Sequence, residues 1–140
     1  MLDTVVLVAA FRSDSGASRR LLEMALAREL ELLLSVPLML EYEAVLTRPE
    51  HLSASGASVQ DVGEVLDGLA EVGRRVMLAF RWRPALPDAN DDMVLETAVN
   101  GQAYAIVTFN ERDFNPAASG FGCRVMPPGE FLRLLARDTN

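Results

Sequence analysis

The chain has 140 residues, half of them hydrophobic, a single cysteine and a net charge of -7. That length fits one domain over 1–140, no apolar run is long enough for a membrane span, and Cys123 alone makes no internal disulfide, which suits a reducing, cytoplasmic setting. All 13 basic residues are Arg, so chemistry that needs a catalytic Lys is excluded, and a chain this acidic binds nucleic-acid backbone poorly without specific contacts.

The opening MLDTVVLVAAF carries Asp3 and no basic leader, so it does not read as a signal peptide. Its run LDTVVLVAAF predicts a buried strand of the parallel type. Residues 16–18 break the run, and Ser18 is a candidate N-cap for a helix to residue 29. LELLLS at 30–35 predicts a second strand. Pro37 fits the first turn of a helix that stops near Pro49, and residues 49–57 read as a loop. Ser58 and Asp61 have capping spacing ahead of a helix carrying Val62, Val65, Leu66, Leu69 and Val72. VMLAF at 76–80 predicts a strand. PDANDD at 87–92 predicts a turn opening a helix that Gly101 closes. AYAIVTF at 103–109 predicts another buried strand, 110–122 an irregular loop, CRVM a last strand and PPGEFLRLLAR a last helix. Alternating strands and helices indicate an α/β domain, expected as three α/β/α layers around a mainly parallel sheet of four or five strands. Such sheets bind ligands at the carboxyl ends of their strands.

Several acids stand out. Asp3 in an apolar strand is costly unless paired, hydrogen-bonded or on a metal; the plainer alternative is a strand-end Asp capping a helix. Glu41 shares a helical seam with Leu38, Tyr42, Val45 and Leu46; the alternative is a seam-edge side chain reaching water. Asp88, Asp91 and Asp92 crowd one helix start, where the dipole alone favours acids. Asp91 shares a face with Val94, Leu95 and Ala98, Asp92 is offset, and Asp88 is a cap or a support for the ligands. Thr108, Asn110 and Asp113 follow a central strand, though Asn and Asp also serve ordinary turns. Together, Asp3, Glu41, Asp91 and Asp113 bring oxygen ligands from separate elements. Such a set suits Mg²⁺ or Mn²⁺ rather than Zn²⁺, and two such ions can activate water and stabilise the leaving oxygen of a phosphodiester.

At these blocks the chain resembles PIN domains, specifically the VapC-like toxins of bacterial toxin–antitoxin operons. The resemblance rests on LDTVVLVAAF, LSVPLMLEYEAVLTRPE, PDANDDMVLETAVNGQAYAIVTFNERDF and RVMPPGEFLRLL. It implies a metal-dependent endoribonuclease with an RNA substrate and a cognate antitoxin as inhibitor, and a homodimer is a family-level expectation. It carries the family's four acids onto Asp3, Glu41, Asp91 and Asp113. Thr4 matches the hydroxyl residue after the first acid, and Asn110 matches a position that is often Asp or Asn. One departure is Val5, where the family commonly has Asn. Arg12, Arg19 and Arg20 could hold an RNA backbone or an antitoxin's acidic tail, or be simply solvated. Arg81, Trp82 and Arg83 read as a packed strand end in preference to a base-stacking patch. His51 has no assigned role, and Cys123 reads as a small buried hydrophobe.

Rival readings fare worse. A receiver domain needs a Lys, a haloacid-dehalogenase-type phosphatase needs an Asp where Val5 stands as well as a Lys, and no Walker-type phosphate loop is present. The remaining alternative is a catalytically decayed PIN fold acting as a protein- or RNA-binding module, with Val5 as its support.

Overall fold

The structure, a computed structural model, describes residues 1–77 and 89–138. The expected first strand is confined to its opening residues. Leu2 forms a single parallel bridge with Val107, Val107 N donates to Met1 O, and Asp3 N donates to Val107 O. The chain then turns into helix α1, Thr4–Arg12. Length and apolarity do not separate a strand from a buried helix. The burial of Val6, Leu7 and Ala10 beside an exposed Val5 is the mark of one helical face.

Helix α2 spans Ala17–Leu26 with Gly16 rather than Ser18 as its N-cap. The second strand shrinks to β1, Leu33–Leu34. Helix α3, Val36–Leu46, has Pro37 in its first turn, and its N-cap Ser35 accepts from Leu38 N. The expected loop at 49–57 contains helix α4, Pro49–Ser55, which starts on a proline and ends at Gly56 with φ 76°. Proline at the first helical position and a left-handed glycine at the end are normal helix boundaries; both residues were read as loop formers. Helix α5, Val59–Val72, has the expected capping box, with Ser58 and Asp61 exchanging bonds.

Strand β2 is Arg74–Arg75, two residues ahead of the predicted VMLAF. Val76 N still donates to Leu34 O; residues 78–80, and with them Arg81, Trp82 and Arg83, lie outside the described residues. Helix α6 is Ala89–Asn100 and strand β3 is Ala105–Val107. The predicted loop at 110–122 is mostly helix α7, Glu111–Ser119. Turn chemistry was the plainer alternative for Asn110 and Asp113, yet Asn110, Glu111 and Asp113 also suit a helix start. Strand β4, Arg124–Met126, and helix α8, Pro128–Asp138, fall where expected.

The strands pair in parallel, β1 with β2 and β3 with β4. With the Leu2 bridge on β3, the hydrogen-bonded strand segments are two short pairs and one added bridge among the described residues, not a continuous four- or five-stranded ladder. One apolar core joins them to the helices, including Leu2, Val6, Leu33, Leu38, Tyr42, Leu69, Leu95, Ile106 and Phe114. Gly101 marks how closely α6 approaches β1: a Cβ there would lie 2.7 Å from Leu33 Cδ1 and 2.8 Å from Val76 Cγ2. Among the described residues no helix is long and apolar enough to cross a membrane.

The consequence for function is a set of strand-to-helix junctions. Asp3, Ser35 and Asn110 each stand between a strand segment and the helix that follows it, as the N-caps of α1, α3 and α7. In a parallel α/β arrangement these junctions mark the carboxyl ends of the strands.

Candidate active site

Asp3 is the best-defined part of the site. It is only 3% exposed, and its oxygens are both held. Oδ1 accepts from Thr4 N at 2.8 Å. Oδ2 accepts from Thr108 Oγ1 at 2.6 Å. The capping alternative raised from the sequence is thus realised, since Asp3 is the N-cap of α1. The same residue is also tied across the sheet to the end of β3. Burying a carboxylate is costly without such partners.

Thr108 is fully buried and makes three bonds. Its N–H donates to Met126 O at 3.0 Å, its hydroxyl donates to Asp3, and that hydroxyl accepts from Asn110 N at 2.9 Å. Asp3, Thr4, Thr108 and the Asn110 backbone therefore form one hydrogen-bonded unit where two adjacent parallel strands end. The Asn110 side chain makes no capping bond to α7. Asp113 sits in the first turn of α7, half-buried, with its N–H on Asn110 O.

Glu41 lies on α3, half-buried. Its neighbour Tyr42 is fully buried and donates from its hydroxyl to Leu2 O, fastening α3 to the residue before Asp3. Burial pushes the Tyr42 phenol far above its ordinary range, and the negative charge of Asp3 adds to the shift. Ser35, at the start of α3, shares a 2.6 Å hydroxyl bond with Thr97 of α6. Helix α6 packs on α3 and α7, so the elements bearing Glu41, Asp91 and Asp113 are neighbours.

Asp88 lies outside the described residues, as do the side chains of Asp91 and Asp92, whose backbones belong to α6. The expected inner face of α6 is buried at Val94, Leu95 and Ala98. Glu96 and Thr97 are buried as well. Helix α6 is thus enclosed on all sides there, and burial gives Asp91 no advantage over Asp92. Glu96, fully buried in the run VLETAV, is the acid the sequence reading passed over; its signal was a carboxylate among apolar neighbours.

The arginine expectation changes with the secondary structure. Because Thr4–Arg12 is helical, Arg12 lies roughly 13 Å along the axis from Asp3. Arg12 donates to His51 Nδ1 at 2.8 Å, giving His51 a contact the sequence did not assign. Arg19 donates to Ala10 O and pairs with Asp14 and Glu23. Arg20 pairs with Glu29 at 3.7 Å. A cavity of about 400 Å³ lies elsewhere, lined by Leu32, Tyr104, Ala105, Phe131 and Leu135, and none of Asp3, Glu41, Thr108 or Asp113 borders it.

The donor chemistry fits a hard divalent cation in kind. Asp3 is a carboxylate oriented by hydrogen bonds, as metal-binding carboxylates commonly are. Among the described residues, which include Asp3, Glu41 and Asp113 but not the side chain of Asp91, no group of three or more acidic, His or Cys side chains forms a metal-binding cluster.

Asp3 is thus a buried acid at a junction of parallel strands, beside helices that carry further acids. A model of the PIN domain matches residues 1–112, and the chain belongs to the PIN-domain family. PIN domains are generally nucleases and typically use divalent metal ions, which gives this chain a nuclease role in its general form. The match contains Asp3, Glu41, Asp91, Thr108 and Asn110 and stops one residue short of Asp113. No curated protein and no solved structure matches the chain.

Proposed function

We propose that the chain is a Mg²⁺- or Mn²⁺-dependent endoribonuclease, the VapC-like toxin component of a toxin–antitoxin pair. The observation that carries the reading is Asp3, a buried carboxylate fixed at the sheet's carboxyl edge by Thr4 N and Thr108 Oγ1. In this reading Asp3 and Asp91 hold the principal cation, and Glu41 and Asp113 complete its surroundings. A bound divalent cation supplies Lewis-acid stabilisation of phosphoryl charge and lowers the pKa of water. The protein's part is orientation. The Thr108 hydroxyl and Thr4 N–H fix the Asp3 carboxylate in place, and Tyr42 keeps α3, which bears Glu41, against the same strand. Helix N-termini at Asp3 and Asn110 add positive potential where a phosphate would sit.

The partners follow from the same reading: RNA as substrate, a cognate antitoxin as inhibitor and a second copy of the chain. Sedimentation at micromolar concentration showing only monomer would remove the homodimer.

The test is cleavage of single-stranded RNA by purified protein with Mn²⁺ or with chelator, combined with calorimetric Mn²⁺ titration. The reading expects metal-dependent cuts leaving 5′-phosphate and 3′-hydroxyl ends. It also expects saturating Mn²⁺ at about 100 times Kd to stabilise the fold by about 2.7 kcal/mol. The decayed-fold alternative draws on Val5, an apolar side chain 39% exposed two positions after Asp3. It expects no measurable Mn²⁺ binding, and that outcome would replace the nuclease reading.

A further inference from the structure

An acid site in a chain of net charge -7 gains little from long-range attraction of phosphates. Single-stranded nucleic acid offers a second source of affinity, the faces of its bases, which stack on aromatic side chains with little regard to sequence. Among the described residues Tyr104, Phe109 and Phe121 have exposed aromatic rings. Tyr104 stands before β3, at the end away from Asp3, and its ring and hydroxyl are taken by Arg124, at 4.9 Å from the centroid and 2.8 Å from the oxygen. Phe121 lies past the far end of α7. Phe109 is different: it immediately follows Thr108, and it is 54% exposed.

The backbone around Phe109 is fastened on both sides. Thr108 N is bonded to Met126 O, Thr108 Oγ1 to Asp3 Oδ2, and Asn110 N returns to the same Thr108 oxygen. Thr108 is fully buried, whereas the next side chain is left in solvent. The hydrogen-bonded unit that orients Asp3 thus also fixes where the phenyl ring starts. One Cα step and one side chain separate the ring from Thr108, whose hydroxyl is on Asp3, so the ring centre lies no more than roughly 13 Å from the Asp3 carboxylate. A nucleotide flanking a phosphate at Asp3 could span that distance.

We propose that Phe109 is a substrate-binding residue, a stacking platform for an unpaired base next to the scissile phosphate. This rests on the ribonuclease reading above. In a duplex the base faces are already covered by their neighbours, so the platform gives nothing there.

The experiment compares the parent with Phe109→Ala, Phe109→Leu and Phe109→Tyr on one end-labelled single-stranded RNA, with circular dichroism as a check on folding. Steady-state cleavage in Mn²⁺ gives KM and kcat, and fluorescence anisotropy in chelator gives Kd without cleavage. The Ala and Leu variants should raise KM and Kd by roughly 5- to 150-fold, the loss of one base–aromatic stack, with Tyr restoring most of it. An RNA with an abasic nucleotide beside the cut should cost the parent a similar factor and cost Phe109→Ala almost nothing more. If the parent cleaves and all variants keep KM and Kd within about twofold, the platform is wrong and the nuclease reading survives. If no protein cleaves but Phe109→Ala still loses RNA affinity, the nuclease reading fails and takes the scissile phosphate with it, and Phe109 is left as a base-stacking contact alone.

Discussion

Replacing Thr108 with valine removes one oxygen and little volume, and that oxygen sits at the centre of the Asp3 unit. It donates to Asp3 Oδ2 at 2.6 Å and accepts from Asn110 N at 2.9 Å, in a residue with no exposure. A hydrogen bond to a charged group contributes about 1.5–3 kcal/mol and an ordinary one about 0.5–1.5 kcal/mol. Thr108→Val should therefore cost roughly 2–4 kcal/mol of stability, a fall in Tm of about 6–15 °C for a domain of this size. Thr108→Ser keeps the hydroxyl and should retain most of the lost stability. Because Asp3 also loses an orienting partner, Mn²⁺ affinity should weaken by about 10- to 100-fold in the valine variant. Urea unfolding and calorimetric titration of the three proteins supply both readouts. A valine variant as stable as the serine variant, with unchanged Mn²⁺ affinity, would refute the view that this hydroxyl organises the site.

Tyr42→Phe deprives the Leu2 carbonyl of its hydroxyl donor and should cost about 1–3 kcal/mol in urea unfolding. The folded chain holds the Tyr42 proton that the unfolded chain releases near pH 10. This contribution is present below about pH 10 and declines above it by about 1.4 kcal/mol per pH unit, a slope that Tyr42→Phe should remove. Ser58→Ala breaks the capping box of α5 and should lower stability by about 1 kcal/mol without changing Mn²⁺ binding. Asp91→Asn should suppress cleavage and Asp92→Asn should do far less; equal losses would show that the assignment between these neighbours is wrong.

What the sequence made legible were the features with local causes. Pro37 at a helix start, the Ser58–Asp61 cap and the β4–α8 ending were all readable because turn chemistry and capping act over a few residues. The α1 error came from the opposite situation: TVVLVAAF is apolar enough to be buried in either conformation, and only packing against α2 and α3 decides. Helices α4 and α7 were missed because Pro49, Gly56, Asn110 and Asp113 serve loops and helix ends equally well. At the site, the pairing of Asp3 with Thr108 could be anticipated from strand topology. The roles of Tyr42 and Phe109 could not, because they depend on which side of a long-range contact each ring falls. The face assigned to Asp91 rested on amphipathicity, and α6 is too enclosed around residues 94–98 for that pattern to discriminate.

The most direct measurement is the Mn²⁺-dependent cleavage rate of single-stranded RNA by the parent and by Asp3→Asn, prepared side by side and matched for circular dichroism. Asparagine keeps the size of Asp3 and removes its charge, so the metal site loses an anionic ligand while the cap on α1 can persist. The account predicts metal-dependent cleavage by the parent and none above background by Asp3→Asn. Equal rates for the two proteins would contradict it, because the observed cutting would then not depend on the acid at the centre of the site.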